Sequence, residues 1–296
     1  MHPTASNLRV RQIQFCARWL RRISAVPATF AIVKALRDRA VVKPILDALL
    51  QYSRPFRTLG EAAAAAAGYE GGGHSHPRYL RVKIPEAEIV RPGDYPALFY
   101  IQKHVADIER VFDLGGSVGN LFYCYATYLD IPPGLTWTVF DLPTTIELGA
   151  DIAKERGETR LHFTRDINEA RSADLFITSG SLQYFEQNLP DMLTGLGKLP
   201  RYVLVNREPL VDRPAIATVV DGDGYRLPSM LHDRRELVSG MEKLGYQMVD
   251  SWVINERSLI IPGYPDLSAR SYSGMFFRLR QPALTSVRPA DARGGL

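Results

Sequence analysis

The stretch Val111-Phe112-Asp113-Leu114-Gly115-Gly116-Ser117-Val118-Gly119-Asn120 decides the fold. Two apolar residues lead into Asp113, and three glycines follow within the next six positions. This is the pattern of a buried strand that ends in a tight glycine turn and then opens a helix. Such a turn presents backbone N–H groups and a helix N-terminus to a ligand. The dinucleotide fingerprint G-x-G-x-x-G does not fit, because Ser117 takes the place of its second glycine. Asp113 also stands two residues before the first glycine. A carboxylate there repels a pyrophosphate and attracts an ammonium, by several kcal/mol at ~4 Å in a medium of intermediate dielectric.

The strands that follow narrow the ligand further. Trp137-Thr138-Val139-Phe140-Asp141 is an apolar run ending in a carboxylate, with Leu142 next. Asp141 lies 22 residues past Gly119, near the ~20-residue offset expected of a ribose-binding acid. Arg160–Thr164 reads as a third strand, and Asp166 and Ile167 after it suit the amine and face of an adenine. Ala173–Thr178 reads as a fourth, broken by Ser179-Gly180-Ser181. Four strand ends then converge on one edge of a sheet, where open α/β folds bind ligands. A nucleoside carrying an ammonium and a sulfonium but no phosphate matches this set. The expected cofactor is therefore S-adenosyl-L-methionine (SAM), held by Asp113, Gly115, Gly116, Ser117, Gly119, Asn120, Asp141, Leu142, Asp166, Ile167, Ser179 and Gly180.

From residue 111 strand and helix signals alternate: strand 111–114, helix 118–129, strand 136–141, helix 143–155, strands 160–164 and 174–178, helix 187–197 and strand 201–206. That is a parallel sheet with helices on both faces. Helix 233–244 leads into strand 247–254, and 274–279 follows without a strong helix between, which suits a closing antiparallel hairpin. The expected fold class is α/β: a Rossmann-like, mostly parallel sheet with an antiparallel last strand and an N-terminal helical segment.

The chain resembles a bacterial family of class I SAM-dependent methyltransferases, often encoded in polysaccharide or secondary-metabolite gene clusters. The resemblance covers about residues 55–280. It rests on VFDLGGSVGN (111–120), WTVFDLP (137–143), DLFITSGSLQYFE (174–186), LVNREPL (204–210), LGYQMVDSW (244–252) and YSGMFFRLR (272–280), which occur in order. Phe56–Tyr69 and Pro96–Tyr100 match upstream. The D-L-P after the second strand also looks like small-molecule O-methyltransferases. The resemblance implies the class I fold, SAM as cofactor, and an enzyme that moves a methyl group to a small-molecule or carbohydrate acceptor, with oxygen as the expected target. Two other readings stand beside it: an NAD(P)-dependent Rossmann enzyme, against which Asp113 and the broken fingerprint count, and a non-catalytic SAM-fold partner protein.

At 296 residues, 46% hydrophobic and 23% charged, the composition is that of a globular chain. No apolar run reaches the ~18–20 residues that span a bilayer, and arginines interrupt the N-terminal apolar runs, so no signal peptide is expected. Cys16 and Cys124 suggest no disulfide framework. A cytoplasmic location is the simplest expectation. Residues 1–60 hold eleven Lys or Arg against two acids; that +9 within a chain total of +4 leaves −5 for residues 61–296. Residues 8–23 read as an amphipathic helix, with Ile13, Trp19 and Ile23 on one face and Arg11, Arg18 and Arg22 on the other. Residues 29–52 read as further helix, with a break near Pro44. This basic bundle suits a helical cap or homodimerisation arm, contact with an acidic substrate or carrier, or peripheral contact with anionic lipid. No nucleic-acid signature accompanies it. His74 and His76, in the loop Gly71–His76, have no third ligand near, and no metal site is expected. Residues 1–95 thus form a basic helical segment and loop, 96–280 the SAM-binding domain, and 281–296 a polar tail expected to be disordered.

Methyl transfer is in-line displacement at an already activated carbon, so alignment supplies much of the rate, on the order of 7–11 kcal/mol. A base adds ~10²–10⁴-fold where the acceptor is a hydroxyl. Gln183 and Tyr184 follow the fourth strand, where an acceptor is oriented and walled, although Tyr184 equally suits helix-start packing. Glu208 is a candidate base and Arg207 a candidate anion grip, unless the two pair with each other. Asp221–Arg226 reads as a loop over the site. His232, with Asp233 as its orienter, is the preferred base; Asp233 equally suits a helix cap, and His104 and His162 compete with His232.

Overall fold

The computed structural model describes residues 54–67, 89–222, 225–261 and 263–280, together with isolated positions between 23 and 42. The N-terminal helices, Pro44, the Gly71–His76 loop, Asp223-Gly224 and the tail 281–296 lie outside the described residues or largely so.

Seven strands form one sheet. β1 (Arg110–Leu114), β2 (Thr136–Phe140), β3 (Leu161–Thr164), β4 (Leu175–Ser179) and β5 (Tyr202–Glu208) run parallel. β6 (Ile216–Gly222) and β7 (Tyr225–Leu231) pair only with each other, as a separate antiparallel hairpin. β8 (Tyr246–Ile254) and β9 (Tyr272–Leu279) complete the large sheet, whose order is β3-β2-β1-β4-β5-β9-β8. β9 runs antiparallel to both of its neighbours. This is the mostly parallel sheet with a reversed last strand of the class I methyltransferase fold. The order reverses direction between β1 and β4, and that switch point is where a crevice opens at the carboxyl ends of the strands.

The central strands are apolar on both faces because helices cover both. On one face α2 (Tyr95–His104), α3 (Asn120–Ala126) and part of α4 (Pro143–Glu155) bury Val111, Trp137, Leu175, Leu204 and Phe276. On the other, α5 (Leu189–Gly195) and α6 (Arg234–Lys243) bury Phe112, Phe176, Val203 and Phe277. The breaks between elements are local. Gly119, in the left-handed region at φ 88°, stops the turn and caps α3; Pro143 opens α4; the Asn188 and Asp233 side chains accept the amides of Asp191 and Arg235 and start α5 and α6.

One segment departs from the sequence reading. Asp221–Arg226 is not a loop over the site but the tip of the β6–β7 hairpin, whose strands run seven residues each. The acids and glycines at 221–224 suggested a loop, and the strands on either side were not read from sequence. The hairpin is inserted between β5 and α6. Its Ala217, Val219 and Met230 pack on Ala62 and Ala66 of α1 (Leu59–Ala66), and Phe56 pairs with Ala217 through two backbone bonds of 2.7 and 3.0 Å. The alanine run thus has a use: it presents a face flat enough for a β-hairpin to lie on. Ala62→Glu, which places a carboxylate in that contact, is expected to destabilise this unit by about 2 kcal/mol or more. Limited proteolysis should then cut near α1 and the hairpin faster, with the melting of the large sheet unchanged.

Candidate active site

The glycine turn joins three strands. The Gly115 amide donates to Phe140 O of β2 at 2.7 Å, the Ser117 amide donates to Asp141 Oδ2 at 2.8 Å, and the Ser181 hydroxyl, just past β4, donates to Leu114 O. Gly115 is left-handed at φ 69°, and a Cβ there would lie 2.5 Å from Ser181 Cβ. A Cβ on Gly116 would strike the Asp113 carboxylate, and one on Gly119 would lie 2.5 Å from Leu161 Cδ2. Ser117 itself is left-handed at φ 56°, which turns its amide to Asp141.

Asp113 lies beneath this turn, 1% exposed, and accepts a bond from Trp137 Nε1 at 3.2 Å. Burial pushes its pKa up to about 7; the Asp141 charge adds to the rise and the Trp137 bond opposes it. Asp141 Oδ1 accepts the Leu142 amide at 2.7 Å. Burial raises the Asp141 pKa too, against the bonds from Leu142, Ser117 and Thr145. Leu142 is 46% exposed beside it. Asp166 is exposed; its Oδ1 takes the backbone and side-chain nitrogens of Asn168 and caps a short 3-10 turn, which holds its pKa low. Ile167 packs against the second core.

Across the crevice, β5 carries a bulge against β9 between Val205 and Glu208, with Arg207 left-handed at φ 55°. The bulge lets two neighbouring side chains reach one acceptor. Asn206 Nδ2 donates to Asp94 Oδ1 at 3.1 Å, and the Arg207 guanidinium pairs with Asp94 Oδ2. Asp94 is fully buried and also accepts from Tyr125 Oη at 3.3 Å and the Arg91 amide at 3.0 Å. Asn206 Oδ1 in turn accepts from Trp252 Nε1 at 3.1 Å. Arg207 therefore pairs with Asp94 and not with Glu208.

Glu208 enters a different group. It is 1% exposed, and its Oε1 accepts from the Ser181 amide at 3.0 Å, the Leu182 amide at 3.1 Å and Thr178 Oγ1 at 3.2 Å. Burial pushes its pKa up to about 7 against those bonds. His232, 4% exposed, places Nε2 at 3.2 Å from Leu182 O; burial lowers its pKa, against the pull of the Leu182 and Phe185 backbone. Asp233 caps α6 through the Arg235 amide at 2.8 Å, so its carboxylate is committed to the helix. Gln183 is buried, with Nε2 at 3.3 Å from Gly180 O, and Tyr184 stands beside it half-buried. The competing histidines lie elsewhere. His104 stacks on Tyr202 and Phe276 with centroids 4.6 and 5.6 Å away, at the opposite end of β5, and His162 is not packed within its strand but exposed on β3.

The switch point thus gathers Asp113, Gly115, Gly116, Ser117, Gly119 and Asn120 from one strand end, Asp141 and Leu142 from the next, and Ser179 and Gly180 from β4. Asn120 Oδ1 and Ser179 Oγ are buried with no hydrogen-bond partner among the described residues. Asp94, Trp137 and Tyr125 were missed from sequence. Pro92-Gly93-Asp94 reads as an ordinary turn, and nothing local to it announces a fully buried carboxylate.

No protein-family model matches this chain, and neither does any curated protein. Solved structures of similar shape include 1,6-didemethyltoxoflavin-N1-methyltransferase of Burkholderia thailandensis, with S-adenosylhomocysteine bound (18% identity over 78% of this chain and 97% of that one, TM-score 0.45). Magnesium protoporphyrin IX methyltransferase (ChlM) of Synechocystis PCC 6803 is another (14%, 74% and 100%, TM-score 0.46). So is the 4+2 cyclase SpnF (13%, 78% and 99%, TM-score 0.46). At these identities and TM-scores the likenesses carry no argument about activity; the strand order defines the fold. Among the described residues no group of three His, Cys, Asp or Glu could hold a metal ion, and no helix is long and apolar enough to cross a membrane.

Two outcomes are expected. Asp94→Ala leaves the Arg207 guanidinium largely buried without its counter-charge, and urea titration should show a loss of about 3 kcal/mol or more. The second concerns Asp113, whose folded pKa of about 7 lies above its ordinary 3.8. The folded state then holds this proton more tightly than the unfolded chain, so the stability linked to it is present at low pH and is lost as pH rises through about 7. Asp113→Asn, which cannot ionise, should gain stability relative to the unaltered protein between pH 5 and 7.5, read from denaturant midpoints without ligand.

Proposed function

We propose that the chain is a SAM-dependent methyltransferase that acts on a small-molecule or carbohydrate acceptor, at oxygen. The observation that carries this reading is the pairing of two strand-end carboxylates, Asp113 and Asp141, around a turn that excludes side chains. A pyrophosphate would meet two buried acids there; a ribose and a cationic amino acid would meet acceptors.

SAM fits the residues present. The turn Gly115–Gly119 offers open backbone where a Cβ would clash, and Asn120 Oδ1 and Ser179 Oγ are buried polar atoms with no hydrogen-bond partner among the described residues. Asp141 would take the ribose hydroxyls, Leu142 and Ile167 the faces of the adenine, and Asp166 its amine. Asp113, under the turn with Gly115 and Gly116, would face the amino-acid end, where a cationic ammonium would favour its charged form, and Ser179 and Gly180 border it from β4. When bound, SAM supplies a methyl group already activated by its sulfonium. The chain's part is then chiefly alignment. Gln183 and Tyr184, just beyond Gly180, stand where an acceptor would be oriented. An oxygen acceptor, a cytoplasmic location and a homodimer through the N-terminal helices belong to this same proposal.

Calorimetry with SAM, S-adenosylhomocysteine and NAD⁺ separates the readings. Binding of the first two and not the third is expected; binding of NAD⁺ alone would discard the proposal. Methyl-labelled SAM with a panel of sugar nucleotides and phenols tests turnover, and tight SAM binding without any transfer would favour a non-catalytic partner. Asp141→Ala should weaken SAM binding by about 1–3 kcal/mol, since it removes both the ribose acceptor and the anchor of the Ser117 amide.

A further inference from the structure

Glu208 and His232 read from sequence as rival catalytic bases. They come from separate segments, one at the end of β5 and the other between the hairpin and α6. Yet they meet at one residue. Glu208 Oε1 accepts the Leu182 amide at 3.1 Å, and His232 Nε2 lies 3.2 Å from the Leu182 carbonyl oxygen. Leu182 itself is fully buried. Glu208 also holds the Ser181 amide at 3.0 Å and the Thr178 hydroxyl at 3.2 Å, so one carboxylate oxygen takes three donors from the same strand end.

The segment between them, Gly180–Tyr184, belongs to no sheet ladder. Gly180 is left-handed at φ 70° and donates its amide to Asn206 O at 2.9 Å, and Leu182–Tyr184 is a single 3-10 turn. β7 packs against that turn. A short turn with so few backbone bonds of its own takes its shape from the side chains that grip it. Both gripping groups are buried, at 1% and 4% exposure; Glu208 spends Oε1 on this strand end, while its Oε2 has no hydrogen-bond partner among the described residues.

We propose that Glu208 and His232 form a two-sided clamp on Leu182 that fixes the Gly180–Tyr184 turn for acceptor binding, and that both are positioning residues and neither is the base. The clamp also ties the hairpin to the site, since His232 directly follows β7. This assignment rests on the methyltransferase reading for its catalytic consequence and on the hydrogen bonds alone for its structural one. Burial holds the Glu208 pKa near 7, so a neutral amide of the same shape is tolerated at that position.

The test uses the full chain with Glu208→Ala, His232→Ala and the double alanine variant, and with Glu208→Gln as the conservative control. Amide hydrogen exchange without ligand is expected to quicken at Ser181 and Leu182 by about tenfold or more in each single alanine variant, and to stay as in the unaltered protein in Glu208→Gln, whose amide oxygen still accepts. The double variant should add little to that, because both act on one turn. On whichever member of the sugar-nucleotide and phenol panel is methylated, KM for the acceptor should rise while the pH–rate limb persists. The proposal is overturned if Glu208→Ala or His232→Ala leaves exchange at Ser181 and Leu182 unchanged. It is overturned equally if either variant removes about 10²–10⁴-fold of kcat together with a pH limb, at constant KM, which is the signature of a base. Faster exchange in a protein that does not bind SAM would retain the clamp and discard the methyltransferase reading.

Discussion

A side chain cannot be placed on Gly115 or Gly116 without striking Ser181 or the Asp113 carboxylate. The rest of the site follows from that exclusion. Because the turn is bare, its backbone approaches three strands at once: it donates to Phe140 O and Asp141, and Leu114 O accepts from Ser181. These bonds set β1, β2 and β4 at the depth where their carboxyl ends form one rim. They also seal Asp113 away from water. Burial without a cationic partner explains why its charged form is disfavoured.

The opposite rim is built by irregularity. A regular β5 would send Asn206 and Arg207 to opposite faces of the sheet. The bulge and the left-handed Arg207 bring both to Asp94 and leave Glu208 for the β4 turn. A non-glycine residue in that region costs on the order of 1–3 kcal/mol and persists where the surroundings hold it. Here the surroundings are a fully buried carboxylate with four donors. Asp94 thereby fastens the segment before α2 to the end of β5, across the core that α2 and α3 share.

The hairpin adds a third wall. It rises from the end of β5, packs on the post-β4 turn and is backed by α1. His232, at its exit, reaches Leu182, so the insertion is tied to the site by a side chain as well as by chain connectivity.

The amino-acid sequence alone determined the alternating core, the glycine turn, the strand-end acids and the closing antiparallel pair. Each rests on local rules: short continuous apolar runs, a turn that demands left-handed backbone, an acid at a fixed offset. The strand limits of the large sheet fell within two residues of those observed, because glycine, proline and capping residues mark them in place, whereas neither strand of the β6–β7 hairpin was read. Only the tertiary structure decided that Asp221–Arg226 tips a hairpin, that the alanine helix backs it, and that Asp94 anchors Arg207. It also decided that Glu208 and His232 meet at Leu182, while Asp233 caps a helix and His104 and His162 lie away from the crevice. Those outcomes depend on which distant residues share a buried space. A carboxylate that titrates in water and one that accepts four bonds in the dark of a core are written with the same letter, and burial tells them apart.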